Sequence, residues 1–562
     1  MYLRTTQRTN KDGSHVRYVQ LAHNRRNGIS TVAEVLVNLG REDRLDVEGL
    51  RRLVGSINRY LGDSTKTEEL TGVGLSVRES RPMGTAWLLD GLWHELGVDQ
   101  ALREVLGARR FTTDIERVIF ALVANRGIDP ASKLAAAEWA SKDACISGLQ
   151  EMDEDQAYRA MDLLVEADAQ SEVQEAVFFA VANLLNLEVD LLFFDTTSTY
   201  FHRDTEDEDE EGFRRYGHSK DHRPDLPQIV IGLAVTREGI PVRVWCWPGN
   251  TNDQTILPEV RDGLRGWKLH RVITVVDRGF SSEANLEYLR RAGGQWIAGE
   301  RMRDGSPHAV EALARQGRYQ IVRDNLKIKE VSLASTPDRR WIVCHNPVEA
   351  ERDKAQRDAA LEHVSGELEQ IGVHRVRQDA RAKASGQKVS SQTHRRAECA
   401  LRNHPSFGRW LRQLPSGRLV IDKKKVATEE RLDGKYLLTT SDPGLSAEDV
   451  ALGYKNLLEA ERGFRDMKST LLPRPIFHRL EPRIRAHVLL CWLALLLVRV
   501  AERRAGTSWG RISTELGRLH TVTLEGAAGT VVQTTPLSDE QDRILRACGV
   551  APPPRLTALQ PS

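Results

Sequence analysis

The chain of 562 residues is short of several things, and each shortage removes a class of protein. Cysteine is scarce: Cys145, Cys246, Cys344, Cys399, Cys491 and Cys548 are all there is, none within four residues of another. That spacing excludes a zinc ribbon and a CxxC redox pair, and it suits reduced thiols. Long apolar runs are also missing. The longest, Val488 to Val498, has eleven residues, against about 20 for a helix that spans a bilayer. The N-terminus has no apolar signal-peptide core. A cytoplasmic protein is therefore expected. No one sign of charge dominates, since the formal net charge is +1. With 28% charged and 40% hydrophobic residues, the composition is that of a folded protein and not a disordered one. Any hold on nucleic acid must come from local basic patches.

The length allows about three or four domains. Residues 1–80 read as a small β/α region. Asp12-Gly13 is a hairpin signal among strand-like stretches (Val16 to Leu21, Thr31 to Leu39), and a helix follows from Val47 to Tyr60. Residues 81–187 read as helical. Trp87, Leu88, Leu92 and Leu96, then Val118, Ile119, Leu122 and Val123, fall at three- and four-residue spacing. A DNA-binding helix-turn-helix and a plain helical bundle both fit that pattern.

Residues 188–299 read as strand, strand, strand, helix, strand, helix, strand. The first three strands should be antiparallel and the later ones parallel. The first, Val189 to Phe194, runs into Asp195, and HRVITVVD (His270 to Asp277) ends on Asp277. If the first and fourth strands are parallel neighbours, the two carboxylates stand side by side where open α/β sheets place their ligands. The fold class is then α/β with an RNase H-like core. Residues 300–445 read as a β-rich insertion outside that sheet. Strand-like pieces surround a charged helix, Pro347 to Leu368, and a basic segment from His374 to Asn403 has eight Lys or Arg against two acids. Residues 446–505 read as the helical completion of the core, and residues 506–562 as a tail fraying at Pro552 to Pro554.

Several other features admit two readings. The acidic run Asp204 to Glu211 reads as a solvated loop in preference to a metal sponge. His218, Lys220, Asp221 and His222 form a polar cluster that suits a metal site or a DNA-facing loop. Trp245 and Trp247 share one strand face, as core residues would. Trp341 is either a core residue or a platform for a displaced base.

The third acid comes from Leu445 to Lys468, read as one helix. Counted from Glu461, Tyr454 lies two turns before, Arg465 one turn after and Lys468 two turns after, so these side chains share a face. Such a face suits a phosphate backbone, with the acid on a metal and the cations on phosphates. An exposed face with a Glu461–Arg465 pair is the plainer alternative. The rival acid, Glu459, points about 160° away from Glu461. Three carboxylates on two strand ends and a helix are what two-metal phosphoryl chemistry needs, and Mg²⁺ prefers such oxygen ligands.

DTTSTYF at Asp195, YGHSKDHRPDLPQIVIGLAV from Tyr216, PGNTNDQTIL from Pro248, VVDRGF at Asp277, the Glu461 helix and RPIFHRLEPRIRAHVLL from Arg474 together resemble bacterial insertion-sequence transposases of the DDE class. The resemblance is to the superfamily with a β-rich insertion and a Tyr-Arg-Glu-Lys signature, over roughly residues 189 to 500. It implies Asp195, Asp277 and Glu461 as the metal-binding catalytic triad, with Mg²⁺ or Mn²⁺, as two ions, for cofactor. It also implies Tyr454 and Lys468 as DNA-contacting helpers, element ends and target DNA as partners, and a homodimer on DNA. Where the signature has Arg three residues after the Tyr, this chain has Leu457. Arg465 is the best substitute on the helix face, ahead of Lys455 and Arg462. The alternatives are an RNase H-like nuclease or resolvase that cuts without joining, and a DNA-binding protein with a dead site.

Overall fold

The computed structural model describes all residues except 1, 10–14, 28–29, 62–74, 108–113, 169, 186, 188–189, 203–204, 210–211, 268–272, 292–293, 304–305, 387–395, 470, 472–475, 477, 527–528 and 562. The chain divides into two units, one of residues 1–80, 521–535 and 554–562, the other of residues 81–520 and 536–553.

In the smaller unit, strands Tyr2–Thr9, His15–Asn27 and Ser30–Arg41 form an antiparallel sheet, and helix Val47–Leu61 follows. The turn signal Asp12-Gly13 lies outside the described residues. A second sheet runs in the order Leu556–Pro561, Gly529–Thr534, His520–Gly526, Ser76–Pro82. The expected fraying tail is thus corrected. Residues after 506 supply three of these four strands, and helices Trp509–Leu516 and Asp539–Ala547 belong to the larger unit. Strand pairing across some 440 residues leaves no local pattern to read.

The larger unit begins with six helices among the described residues, from Gly84–Glu95 to Glu172–Leu185. Asp114, Ser132 and Asp153 cap three of them by accepting backbone N–H bonds from Glu116, Ala135 and Gln156. Helix Ile115–Ile128 is buried almost all round, and three of its buried residues, Glu116, Arg117 and Arg126, are charged. Glu116 accepts from Trp93 Nε1 and from Arg103 and Arg117, each at 2.6 Å, and Arg117 also donates to Asp90 at 2.6 Å.

A nine-stranded sheet follows. Its order is Gln320–Arg323, Leu326–Val331, Arg340–His345, Lys435–Thr440, Gln295–Glu300, Ile273–Val276, Leu191–Tyr200, Gln228–Thr236, Pro241–Pro248. The last three strands are antiparallel. Leu191–Tyr200, Ile273–Val276 and Gln295–Glu300 run parallel, as the sequence predicts. The strands between 320 and 440 are not outside the sheet, contrary to expectation. Lys435–Thr440 pairs with Gln295–Glu300 and extends the sheet by four antiparallel strands. The true excursion leaves between two neighbouring strands, after His345 and before Lys435. Among the described residues it contains the helix Pro347–Ala384, of 38 residues, a short hairpin, two further α-helices and a short 3-10 helix. Trp341 is fully buried in this extension and donates to Thr336 Oγ1 at 2.9 Å, so it is a core residue and no base platform.

Strand alternation decides which side of the sheet each residue serves. Leu191, Phe193, Ile273 and Val275 pack with helices Ala447–Lys455, Leu458–Ser469 and Glu481–Ala505. Leu192, Phe194 and Val276 pack on the other face with Leu257, Val260, Leu286 and Leu289 and with Trp245 and Trp247, whose rings stack at 6.3 Å. Helix Glu481–Ala505 is long and apolar enough to cross a membrane by composition, but 94% of its apolar window is buried inside the protein. It lies against helices Ile115–Ile128 and Glu154–Ala167 and strand Pro241–Pro248.

Candidate active site

Asp195 does not stand past the end of its strand as expected. It is the fifth of ten residues in Leu191–Tyr200 and pairs opposite Leu233. The parallel neighbour is shorter. Phe194 pairs with Val276, where that strand stops, so Asp195 comes level with Asp277. Period-two alternation puts Asp195 beside Phe193 and Asp277 beside Val275, on the face covered by the Leu458–Ser469 and Ala447–Lys455 helices.

The helix carrying Glu461 is also corrected. Ala447–Lys455 ends at Asn456, and a new helix begins at Leu458. Leu457 sits at the break with its side chain in the core, 5% exposed. The position where the signature has Arg is thus an apolar anchor, and the single face running from Tyr454 to Lys468 does not exist. Tyr454 still reaches the site. Its hydroxyl donates to Asp277 Oδ1 at 2.7 Å. Burial, and then Asp277, hold that phenol far above its ordinary range, so it stays a proton donor. The ring stacks on Tyr436 at 6.1 Å. Gly299 makes room for it, because a Cβ there would collide with the Tyr454 hydroxyl.

Glu461 is exposed and lines a cavity of about 220 Å³ together with Asp277, Tyr454, Lys455 and Leu457. Glu459 is elsewhere. A Cβ on Gly239, in the hairpin after Gln228–Thr236, would lie 2.7 Å from Glu459 Oε2. A second cavity, of about 720 Å³, opens from Asp277 and Tyr454 and is lined by Lys220, Arg278, Arg301, Arg303 and Lys435. Sequence reasoning singled out Lys220 only within a polar cluster suited to a metal site or a DNA-facing loop, and missed the rest of this basic wall, which comes from four separate segments.

The Asp195 carboxyl is raised to about 6, chiefly by burial. Asp277 and Glu461 add to that rise, and Lys220 and the Thr196 N–H oppose it. Asp195 is therefore close enough to Asp277 and to Glu461 to feel their charge. All are oxygen donors, and a hard cation would relieve their repulsion, so their chemistry fits a divalent metal. Among the described residues, no group of three or more His, Cys, Asp or Glu side chains converges as a metal cluster. Of the expected DNA contacts, Lys468 is ion-paired with Asp221 at 2.8 Å. Arg465 is exposed, and its charge acts on Asp466. Arg462 pairs with Glu502 at 3.4 Å. The acidic run is only partly a solvated loop, because Asp207 is fixed by the buried Arg214 guanidinium.

The family model for the transposase DDE domain matches residues 190–497, more than half of the chain, and the chain belongs to that family. More narrowly, residues 3–69 match the N-terminal domain of IS1634 family transposases, which makes this an insertion-sequence DDE transposase. It is a DNA transposase, an enzyme of DNA cleavage and strand transfer. DDE transposase domains generally use divalent metals. None of the curated proteins matches the chain. Among solved structures it is similar to a piggyBac transposase synaptic complex with hairpin DNA. The identity is 10% over 79% of this chain and 81% of that one, and the TM-score of 0.34 is too low to carry any argument.

Proposed function

We propose that Asp195, Asp277 and Glu461 are the catalytic carboxylates and hold a pair of divalent ions, Mg²⁺ or Mn²⁺, on an RNase H-like core. The observation that carries this reading is the parallel register that brings Asp195 level with Asp277 on the face of the Glu461 helix. The sheet order around these strands, with three antiparallel and two parallel members, supports the RNase H-like assignment. Bound ions would activate the attacking oxygen and stabilise the leaving one. The chain's own part is to orient Asp277 through the Tyr454 hydroxyl and to place Arg465 and Lys468 along the DNA backbone. Lys455, beside Glu461 in the smaller cavity, is a further cation for the missing Arg. An element has two ends, so a homodimer with one end in each site fits the reaction. A cytoplasmic enzyme, on the nucleoid when bound, fits that substrate. Labelled element ends test the reading: joined strands are expected, whereas nicks alone would mark a nuclease and bound but uncut DNA a dead site.

Gly299→Ala is expected to drive the Tyr454 hydroxyl off Asp277. A misplacement of that kind costs cleavage about 100-fold. In a Tyr454→Ala background the same change should cost little more than Tyr454→Ala alone, because both the hydroxyl and the ring carbon that the new Cβ would strike are gone. Equal losses in both backgrounds would show that Gly299 acts through something else.

The basic segment is proposed as a non-specific backbone contact. Arg381 and Lys383 are exposed near the C-terminal end of the 38-residue helix, while Arg395 lies outside the described residues. Neutralising Arg381 and Lys383 should weaken binding to all DNA alike and flatten log Kd against log salt by roughly 0.9 per lost contact. An unaltered slope would reduce this helix end to solvated surface.

A further inference from the structure

Two adjacent residues of the His218–His222 cluster reach the two elements that carry Asp195 and Glu461. Lys220 Nζ donates to the Thr196 backbone oxygen at 2.8 Å and to Thr196 Oγ1 at 2.6 Å, next to Asp195 in the chain. It also pairs with Asp253 at 3.1 Å, and Asp253 accepts from Thr196 Oγ1 at 2.8 Å. The Lys220 backbone N–H donates to Ser198 Oγ at 2.8 Å. Thr196 and Ser198 alternate with Asp195, so these contacts hold the strand by the face opposite the carboxylate. Asp221 goes the other way. Its Oδ1 accepts from Lys468 Nζ at 2.8 Å, seven residues beyond Glu461 on the Leu458–Ser469 helix, and both side chains are largely covered. The turn that aims the two side chains apart is held by Ser219, whose Oγ accepts from the Asp221 and Arg223 N–H groups. His222 in that turn takes φ 57°, a left-handed conformation rare for a residue with a side chain.

We propose that the Lys220–Asp221 turn is a clasp across the active site. Lys220 fixes the Asp195 strand, Asp221 fixes the helix that carries Glu461, and the two adjacent residues set the spacing between those carboxylates. Both are positioning residues. The proposal rests on the reading of Asp195 and Glu461 as catalytic. It gives a role to a polar cluster that makes no metal site of its own. It also changes the place of Lys468, which before any DNA arrives is tied to the turn. The charge of Lys220 has a second effect, since it stands close enough to Asp195 to favour its ionised form.

The test uses the full-length chain and a duplex carrying the terminal inverted repeat. Hydrogen exchange is followed by mass spectrometry on peptides covering 458–469, beside single-turnover cleavage of pre-bound DNA. In Asp221→Asn, exchange in that helix should quicken about tenfold, as for local opening of a part-tethered element. Cleavage should fall by a similar factor and duplex affinity should change less than about twofold. Asp221→Glu, which keeps the charge, should recover part of both, and Lys220→Arg should be milder than Lys220→Met. Unchanged exchange in Asp221→Asn overturns the clasp whatever Glu461 does. Faster exchange with full cleavage overturns the positioning role. Full cleavage by Glu461→Gln is the separate result that would overturn the catalytic assignment, and the exchange measurement would still report on the clasp.

Discussion

Asp195→Asn, Asp277→Asn and Glu461→Gln should each lower single-turnover cleavage of a pre-bound DNA end by about 1000-fold or more, the effect of losing several kcal/mol of metal-borne charge stabilisation. These variants keep side-chain size and remove one negative charge. Asp277→Asn can still accept the Tyr454 hydroxyl bond, so a loss there reports the missing charge and not a collapsed site. Affinity for DNA should hold or rise slightly, because each change removes a charge that repels phosphate. Glu459→Ala is the control and should cleave normally, since Glu459 abuts the Gly239 hairpin and is not among the residues of the Glu461 cavity. If Glu459→Ala abolishes cleavage and Glu461→Gln does not, the third carboxylate has been assigned wrongly.

Glu116→Ala should unfold the larger unit at markedly lower denaturant. Glu116 and Arg117 are 2% and 5% exposed, and removing the acid leaves the Arg117 guanidinium and the Trp93 N–H buried without it. Breaking a buried pair from one side costs about 3–5 kcal/mol, read as a fall in the unfolding midpoint. Burial raises the Glu116 carboxyl, but bonds from Arg117, Arg103 and Trp93 outweigh it and leave the group below its usual value of 4.5. A depressed carboxylate stabilises the fold above its unfolded value and loses that contribution as pH falls through the folded one. The difference between parent and Glu116→Ala should therefore shrink in acid below about pH 4.5. Glu116→Leu combined with Arg117→Met should recover much of the loss, because apolar packing removes both buried charges together. A midpoint in Glu116→Ala equal to the parent's would mean that the network adds nothing.

The signals that mark Asp195 and Asp277 are local. A short apolar strand that stops at an acid can be read twice, at Asp195 and Asp277, and alternation then gives both acids the same face. Even so, Asp195 lies in mid-strand, and what matters is that its parallel neighbour is six residues shorter. Sequence periodicity finds the Glu461 helix but joins it to the Tyr454 helix as one piece. Nothing in YKNLLEAERGF forbids a continuous helix. The break is set by Leu457, which turns into the core between the two halves.

The residues themselves are enough for the parallel and antiparallel pairing of the five strands between Leu191 and Glu300 and for the helical stretch that carries Glu461. Each follows from hydrophobic period, element length and chain order, which are properties of neighbouring residues. Tertiary structure decided the rest. It added four strands to the sheet edge, turned the described residues after 506 into strands and helices, and joined Lys468 to Asp221 across 247 positions. These contacts are made between surfaces that exist only after folding. Their free energy depends on burial and register, and neither is written in the residues on either side.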